Sequence, residues 1–290
     1  MMRVLTTIAA TQSACKVLRN AGKSIGLVPT MGALHEGHLS LVRAARESCG
    51  AIVASIFVNP TQFAPNEDFS KYPRSFEEDC RKLEVEGVDL IFAPIVAEMY
   101  PPGASTFVDV EGVSGRLDGI ARPGHFRGVA TVVAKLFNIV GPDRAFFGQK
   151  DAAQVAVLRK MVYDLNFGLE LVVCPIVRDM DGLAMSSRNR YLDATQRKQA
   201  LILSRALREA EGLIASGVCE SERILAAMKQ VMLQEPAVKP DYVTVVDANT
   251  LSPIPDLTGG GLIAVAAYVG TTRLIDNLIV LPNGRLELKN

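Results

Sequence analysis

The sequence lacks a long hydrophobic run, an excess of charge of either sign and a cysteine pair of the CxxC type. No apolar stretch reaches the roughly 20 residues that a membrane-spanning helix requires. Residues 261–280 come nearest, but Thr271, Arg273 and Asp276 interrupt them. Residues 1–20 lack the apolar core of a signal peptide. We therefore expect a cytoplasmic protein with no membrane association.

The charged residues balance, with 31 basic and 31 acidic side chains. No long run of one sign occurs, so the sequence carries no sign of a basic surface for nucleic acid or for an anionic membrane. We expect no nucleic-acid partner, although the balance is compatible with a local basic pocket for a small anion.

The five cysteines are scattered along the chain and odd in number. This pattern indicates reduced, mostly buried thiols, as in cytosolic proteins. None is flanked by a recognisable base, so a catalytic cysteine is not expected. They are Cys15, Cys49, Cys80, Cys174 and Cys219.

Length and composition favour a globular protein with two domains. The chain has 290 residues, of which 49% are hydrophobic and 21% are charged. Its length exceeds the usual size of a single core. Short apolar runs alternate with amphipathic stretches, a pattern typical of βαβ units and a parallel sheet. Strands are predicted over residues 25–28, 51–58, 88–93, 106–110, 144–147 and 169–177, and helices over residues 37–48, 76–86, 126–140 and 152–165.

These elements predict an α/β fold with a Rossmann-like, doubly wound parallel sheet domain over residues 1–188. A smaller α+β domain is predicted over residues 189–290. It contains three predicted strands, over residues 242–247, 262–268 and 273–280.

Two helices are predicted before those strands. Asp193 or Thr195 is expected to cap the first, which ends near Ser216. Ser221 is expected to cap the second, which ends near Gln234.

Two of the three histidines lie in VPTMGALHEGHLSLVRAAR, residues 28–46. The segment joins a predicted strand to a predicted helix at the carboxyl edge of the sheet, where open α/β sheets bind ligands. A helix N-terminus favours an anion such as phosphate. Gly32 and Gly37 permit close backbone approach, and His35 and His38 add side-chain donors. A tight loop with two surface histidines is the alternative, but the combination favours a phosphate site.

Other phosphate and metal motifs are weaker. AGKS, residues 21–24, resembles the end of a P-loop, but Val17 stands where that motif requires glycine. No GxGxxG motif opens a helix. A metal held by His35 and His38 is disfavoured, because only His125 could add a third histidine.

Two further segments place polar groups just after predicted strands. In SIFVNPTQF, Gln62 can fix the hydroxyls or the carboxylate of a polar substrate. In FFGQKDAAQVAVL, Lys150 can reach phosphate oxygens, and Asp151 can cap a helix or help to hold magnesium. Gln154 lies one turn further along the same helix.

A fourth segment, VRDMDGLAMSSRNRYL, follows the last predicted strand of the sheet. The hydroxyls of Ser186 and Ser187 and the guanidinium of Arg188 suit a phosphate clamp, with a polar interdomain linker as the alternative. We expect the four segments to meet at one sheet edge. No Ser–His–Asp order is present, so the site suits charge stabilisation on a transferring phosphorus.

The histidine segment closely resembles the signature of the pantoate–β-alanine ligase, or pantothenate synthetase, family of HIGH-motif nucleotidyltransferases. FVNPTQF, the YPR of residues 72–74, HFRGVATVVAKLFNIVGPDRAFFGQKD and PIVRDMDGLAMSSRNRYL match that family in the same order. The resemblance covers residues 6 to about 280.

The resemblance implies a ligase with ATP, (R)-pantoate and β-alanine as substrates. Pantoate would attack the α-phosphorus of ATP to give pantoyl adenylate and pyrophosphate, and β-alanine would then displace AMP to give pantothenate. Magnesium, a cytoplasmic role in coenzyme A synthesis and a homodimer are also implied. Val129, Val132, Val133 and Leu136 are candidates for either core or dimer interface.

Matching motifs imply the residues of the site. His38 corresponds to the family's proton donor, but we interpret His35, His38, Lys150 and Arg188 as groups that stabilise phosphate charge. The implied ATP site comprises Met31, Gly32, Ala33, Leu34, His35, Glu36, Gly37, His38, Gly148, Gln149, Lys150, Asp151, Val177, Met185, Ser186, Ser187 and Arg188.

The resemblance also implies residues for the other ligands. Gln62 would contact pantoate and later β-alanine, and Gln154 would contact pantoate. Asp79 and Asp151 are candidates for magnesium. Gln149 departs from the glutamate usual in the family, and the lost charge is expected to make the local potential more positive.

Two rival functions are compatible with these residues. One is an adenylyl- or cytidylyltransferase, which Gln62 and Gln154 disfavour because a phosphate acceptor would call for more cations. The other is a nucleotide-binding regulatory protein without catalysis, which only Gln149 encourages.

Overall fold

A computed structural model of the chain describes residues 2–64, 67, 69–282 and the backbone of residues 285–286. These form two compact units. The first unit comprises Met1–Gly148 and Val157–Cys174, and the second comprises Gln149–Ala156 and Pro175–Asn290. The domain boundary after residue 188 stays a prediction. By compactness alone, residues 175–188 belong with the second unit, because Arg178 in this stretch pairs with Asp276 near the C-terminus.

The first unit is built on a six-stranded sheet in which every pairing is parallel. The strand order is β1-β4-β3-β2-β5-β6. This arrangement confirms the predicted Rossmann-like fold class. The strands are β1 (Arg3–Leu5), β2 (Ile25–Thr30), β3 (Ala51–Ile56), β4 (Leu90–Phe92), β5 (Arg144–Gly148) and β6 (Glu170–Cys174).

Helices occupy the connections between these strands, and four 3₁₀ turns accompany them in the described chain. The helices are α1 (Ile8–Asn20), α2 (Glu36–Ser48), α3 (Phe76–Val85), α4 (Val96–Met99), α5 (Asp118–Ala121), α6 (His125–Val140) and α7 (Ala152–Asp164). The 3₁₀ turns are η1 (Pro60–Gln62), η2 (Val113–Gly115), η3 (Gln149–Asp151) and η4 (Ser187–Tyr191).

The hydrophobic pattern explains how the sheet is covered. Nearly all residues of β2 and β3 are buried, as expected for strands packed on both faces. Helix α2 buries Leu41, Val42 and Ala45, which recur at helical spacing and form one face. Helix α6 is buried on almost all sides. Four residues of α6 were candidates for either the core or a dimer interface, and their burial places them in the core. They are Val129, Val132, Val133 and Leu136.

The second unit places two helices with an antiparallel sheet of order β10-β9-β8-β7. Its helices are α8 (Ala194–Ala215) and α9 (Ser221–Met232). Its strands are β7 (Val238–Val246), β8 (Gly261–Val269), β9 (Thr272–Leu281) and β10 (Arg285–Leu286). Apolar side chains of both helices and of three strands share one core, which confirms the predicted α+β character.

Several predicted elements differ from the structure. Residues 106–110 form no strand; Val108 instead donates its N–H to the Thr131 hydroxyl. Ser221 is not a cap but the first residue of α9, which follows Glu220. The first strand and helix, β1 and α1, were not predicted, because short or weakly apolar segments carry little periodic signal.

Within the described residues, no helix is long and apolar enough to span a bilayer.

Candidate active site

The histidine segment leaves the sheet at its topological switch point. Strand β2 pairs with β3 on one side and with β5 on the other. The chain continues from β2 through β3 to β4, and β5 then returns to the opposite side. Ligands of open α/β sheets bind outside the carboxyl ends of the strands at such a point. The ends of β2, at Thr30, and of β5, at Gly148, therefore mark the candidate site of the first unit.

The loop after β2 has an unusual backbone that helix α3 holds in place. Gly32 and Ala33 both have positive φ angles, of 82° and 52°. This region suits glycine, but it is unfavourable for alanine unless neighbouring groups enforce it. Asp79 of α3 accepts hydrogen bonds from the N–H groups of Ala33 (2.9 Å) and Leu34 (2.8 Å). Its third donor is the Ser75 hydroxyl, at 3.2 Å.

Asp79 does not fit its predicted role as a magnesium ligand. The residue is fully buried, and its two carboxylate oxygens accept the hydrogen bonds of the loop. Among the described residues, no cluster of three or more histidine, cysteine, aspartate or glutamate side chains could hold a metal ion. The geometry supports a structural role for Asp79 toward the loop.

The two histidines close the N-terminus of α2 by a reciprocal capping arrangement. His35 Nδ1 accepts from the Gly37 N–H at 3.2 Å, and His38 Nδ1 accepts from the His35 N–H at 3.3 Å. A backbone N–H can only donate, so each Nδ1 is unprotonated and each ring carries its proton on Nε2. The ring centroids are 4.1 Å apart. The pair thus presents two neutral Nε2–H donors beside a helix N-terminus.

Gln62 lies against the same loop. Its Nε2 donates to the sulfur of Met31, and its Oε1 accepts from Asn59 Nδ2 at 3.1 Å. Asn59 is itself almost fully buried and donates to the carbonyl of Gly128 on α6. A Cβ at Gly128 would come within 2.3 Å of the Thr61 carbonyl, so glycine is what allows α6 to approach η1 so closely.

The main chain at Gln62 is held by a charged cluster. His125 Nδ1 lies 2.8 Å from the Gln62 carbonyl, and His125 Nε2 lies 3.0 Å from Arg122. Arg122 also forms an ion pair with Glu67 at 2.7 Å. Burial of Glu67 raises its pKa, but the hydrogen bonds and the charge of Arg122, together with the charge of His125 and a backbone hydrogen bond at Ala64, lower the pKa of this carboxyl below its usual value. His125 therefore supports the Gln62 segment, a role that the sequence did not reveal.

In the second unit, η3 is held by a residue of β9. Asn277 Nδ2 donates to the carbonyls of Gln149 and Lys150, both at 3.0 Å. The side chain of Gln149 returns a hydrogen bond from Nε2 to Asn277 Oδ1 at 3.1 Å. Lys150 Nζ lies 3.8 Å from the carboxylate of Asp151, whose side chain is half exposed. Lys150 and Ser186 line the same small cavity.

Residues 177–188 are fixed within the second unit by two sets of ion pairs. Arg178 contacts the buried carboxylate of Asp276 at 2.6 and 2.9 Å. Arg197 of α8 binds Asp179 and Asp181, and its hydrogen bonds lower the pKa of Asp181.

This anchored segment brings predicted ATP residues together. The N–H of Met185 donates to the carbonyl of Val177 at 2.9 Å, so these two residues are paired. Ser186 caps η4 by accepting from the Arg188 N–H at 3.3 Å.

The predicted site residues fall into two groups, one in each unit. Met31 to His38, Gln62, Asp79 and Gly148 belong to the first unit, and Gln149, Lys150, Asp151, Gln154, Val177 and Met185 to Arg188 belong to the second.

Sequence reasoning missed Asn59 as a support of the site residues in the first unit and Asn277 as a support of those in the second. Asn59 lies shortly after the apolar strand β3, at the carboxyl edge of the sheet, a signal that could have identified it. Asn277 lies 128 residues from Gln149, and nothing in the sequence links the two.

Comparison with known proteins agrees with these features. A family model described as pantoate-beta-alanine ligase matches residues 3–279. A pantothenate synthetase of Acidobacterium capsulatum is 63% identical, over 96% of this chain and 97% of the relative. The pantothenate synthetase of Koribacter versatilis is 59% identical, over 98% of this chain and 97% of the relative.

Solved structures are also similar. The crystal structure of pantothenate synthetase from Thermus thermophilus has a TM-score of 0.91 at 46% identity and covers 97% of this chain and 100% of its own. The pantoate-beta-alanine ligase of Francisella tularensis, solved with beta-gamma ATP and beta-alanine, has a TM-score of 0.79 at 32% identity. It covers 96% of this chain and 98% of its own.

Proposed function

The chain belongs to the pantoate–β-alanine ligase family, and on this premise we propose how its own residues bring about the reaction. The enzyme is an ATP-dependent ligase that joins (R)-pantoate to β-alanine. The carboxylate of pantoate attacks the α-phosphorus of ATP and displaces pyrophosphate, giving pantoyl adenylate. The amine of β-alanine then attacks the acyl carbon, loses a proton and displaces AMP to give pantothenate.

The capping contacts of His35 and His38, in which each Nδ1 accepts a backbone N–H, are the observation that carries the assignment of residues. Both rings use Nδ1 as an acceptor within the chain, so each ring carries its proton on Nε2, the ring nitrogen that is not used in the helix cap. Two neutral donors beside a helix N-terminus stabilise negative charge that develops on phosphate oxygens. Because Nε2 already carries a proton, His38 acts as a donor to the phosphate and not as a base.

Lys150, Ser186, Ser187 and Arg188 supply the donors of the second unit. Asn277 fixes the main chain at Lys150, and the ion pairs of Arg178 and Arg197 fix the segment that ends in Arg188. An ammonium and a guanidinium carried on main chain that is fixed in this way compensate the charge of the triphosphate. We assign all four residues to ATP, together with the backbone of Val177.

Gln62 and Gln154 are assigned to the acid substrate. The Gln62 amide is almost fully buried and held by Asn59, so its orientation is set before the substrate arrives. An amide offers both donors and an acceptor, which suits the hydroxyls and carboxylate of pantoate. We assign Gln62 also to β-alanine, because the amine must reach the same carboxyl carbon.

Magnesium, a homodimer and a cytoplasmic location complete the proposal. Magnesium is commonly held by one or two carboxylates together with substrate phosphates, and it neutralises phosphate charge there. Asp151 fits such a role better than Asp79, because its side chain is 51% exposed whereas Asp79 is buried. All five cysteines are unpaired, which supports a reducing compartment.

Exchange of labelled pyrophosphate into ATP tests the adenylate step. We expect exchange only when pantoate is present, and AMP release only when β-alanine is added as well. The Lys150→Ala variant should lower the exchange rate at least ~100-fold, because a charged contact to the transition state is lost.

Lys160→Ala is the matched control for this variant. Lys160 lies on α7 and pairs with Asp164 on the surface, so its removal should leave exchange unchanged. A near-normal rate in Lys150→Ala would refute the role of Lys150. Exchange that proceeds equally well without pantoate would contradict the assignment of pantoate as the group that attacks the α-phosphorus.

A further inference from the structure

We propose that helix α3 sets the conformation of the ATP-binding loop through Asp79 and Lys82, which act as positioning residues on opposite sides of one peptide segment. The proposal rests on the proposed function, since it takes the loop after β2 as the nucleotide site. Neither side chain is assigned to a substrate.

Asp79 holds the N–H side of the segment. It accepts from two successive N–H groups, those of Ala33 and Leu34, at 2.9 and 2.8 Å. The carboxylate also lies directly beneath Gly32, where a Cβ would come within 3.1 Å of Asp79 Oδ2. Two N–H groups aimed at one buried carboxylate keep Ala33 at its positive φ angle.

Lys82 holds the carbonyl side of the same segment. Its Nζ donates to the Leu34 carbonyl at 2.8 Å and forms an ion pair with Glu78 at 2.6 Å. Lys82 and Asp79 are three residues apart, so they share one face of α3. Leu34 is thus bonded to α3 through both its N–H and its carbonyl, and its side chain is fully buried.

The consequence is that α3 fixes the start of α2. Leu34 directly precedes His35, whose backbone N–H binds His38 Nδ1 and whose ring caps α2. If Leu34 shifts, both Nε2–H donors shift with it. The two residues of α3 therefore control the preorganisation of the histidine pair, and preorganised donors are what stabilise transition-state charge.

A metal-binding role for Asp79 predicts a different behaviour, and titration with magnesium separates the two. The test compares Asp79→Asn, Lys82→Met and the control Glu77→Gln by pyrophosphate exchange. Glu77 is an exposed carboxylate on the first turn of α3. Each variant is assayed at varied ATP and, separately, at varied magnesium, with its thermal unfolding recorded.

We expect Asp79→Asn and Lys82→Met each to raise KM for ATP and lower kcat, for a combined loss in kcat/KM of about tenfold or more, as for a lost charge-assisted hydrogen bond. The magnesium concentration for half-maximal rate should stay at the wild-type value. Lys82→Arg, which keeps a cationic donor, should recover part of the loss, and Glu77→Gln should behave as wild type.

An increased magnesium requirement in Asp79→Asn with an unchanged KM for ATP would overturn the proposal in favour of metal binding. The proposal would also be overturned if Asp79→Asn and Lys82→Met had the same kcat/KM as the control Glu77→Gln. If Asp79→Asn fails to fold, the result for Lys82→Met decides whether the proposal holds. Lys82 is partly exposed, and its replacement leaves no buried hydrogen-bond donor without an acceptor. Wild-type protein without pantoate-dependent exchange would refute the proposed function itself, independently of α3.

Discussion

Gln149 has a structural partner that explains why an amide serves at this position. Its Nε2 donates to Asn277 Oδ1, while Asn277 Nδ2 is already engaged with two main-chain carbonyls. A carboxylate here would place one acceptor against another, since the donor of Asn277 is in use. The amide of Gln149 therefore helps Asn277 to hold the main chain at Lys150, and residue 149 carries no charge as a result.

We expect Gln149→Glu to raise KM for ATP by roughly threefold to tenfold. This is the effect of losing one hydrogen bond and placing two acceptors against each other. Asn277→Asp should be more damaging, because it removes the donor shared by the carbonyls of Gln149 and Lys150. Pyrophosphate exchange at subsaturating ATP measures both. A Gln149→Glu variant with unchanged KM for ATP would show that the amide pair does not position Lys150.

For single residues, the sequence identified polar side chains that follow strands. It did not identify the side chains that hold those residues in place. His35, His38 and Gln62 were identified because each follows an apolar strand in a polar loop. Asp79 was identified as a metal candidate, but the three-dimensional contacts made by its carboxylate are with the loop. Those contacts join residues 45 or more positions apart, and composition or periodicity carries no signal for such pairs.

Helix α8 begins with a capping arrangement that the sequence predicted as one of two choices. Asp193 accepts from the N–H groups of Thr195 and Gln196, both at 2.8 Å, and Gln196 accepts from the Asp193 N–H in return. The capping residue is therefore Asp193 and not Thr195. Both carboxylate charge and hydrogen bonds stabilise a helix N-terminus.

Removal of this cap should destabilise the second unit without affecting chemistry. We expect Asp193→Ala to cost about 1 kcal/mol and to lower the melting temperature by about 2 °C. Thr195→Ala is the control and should have a smaller effect, since Thr195 contributes its backbone to the cap. Calorimetry measures both variants, and an equal or larger loss in Thr195→Ala would contradict the assignment of the cap.

Other elements were predicted according to the strength of their periodic signal. Strands β2, β3 and β5 are continuous apolar runs and were found within a few residues of their bounds. Strand β6 ends at Cys174 instead of residue 177, because Pro175 follows and cannot donate to the ladder. The apparent strand at residues 106–110 contains Phe107, Val108 and Val110, but no strand of the described chain pairs with it.

The doubly wound sheet was predictable as a class because alternating strand and helix patterns allow few alternatives. Its strand order was not, since β1 is three residues long and pairs with the distant β4. The division into compact units was also not readable from local signals. It depends on which tertiary contacts residues 149–156 and 175–188 make, and these contacts join segments about 100 residues apart.

Exposed apolar side chains of the first unit are candidates for the interface of the homodimer that the family resemblance implies. Ile95 is 69% exposed, Phe107 is 45% exposed and Ile120 is 73% exposed, and all three fall within residues 95–120. The same stretch contains residues 101–107, which are exposed and have no regular secondary structure beyond a short turn. Exposed apolar surface is where contact surfaces form, so we infer that these three side chains contribute to the interface of a dimer.

A second copy of the chain is the partner that the family resemblance implies, so sedimentation velocity at micromolar concentration should give about twice the 31.2 kDa of the single chain. Ile120→Asp should shift the protein toward the monomer, because a carboxylate in an apolar contact pays for desolvation without a partner. Val17→Asp is the control: Val17 is 65% exposed on α1, outside this stretch, and its replacement should leave the dimer intact.

A wild-type protein that sediments only as the single chain would refute the dimer. Equal dissociation by Ile120→Asp and Val17→Asp would show that residues 95–120 do not form the interface.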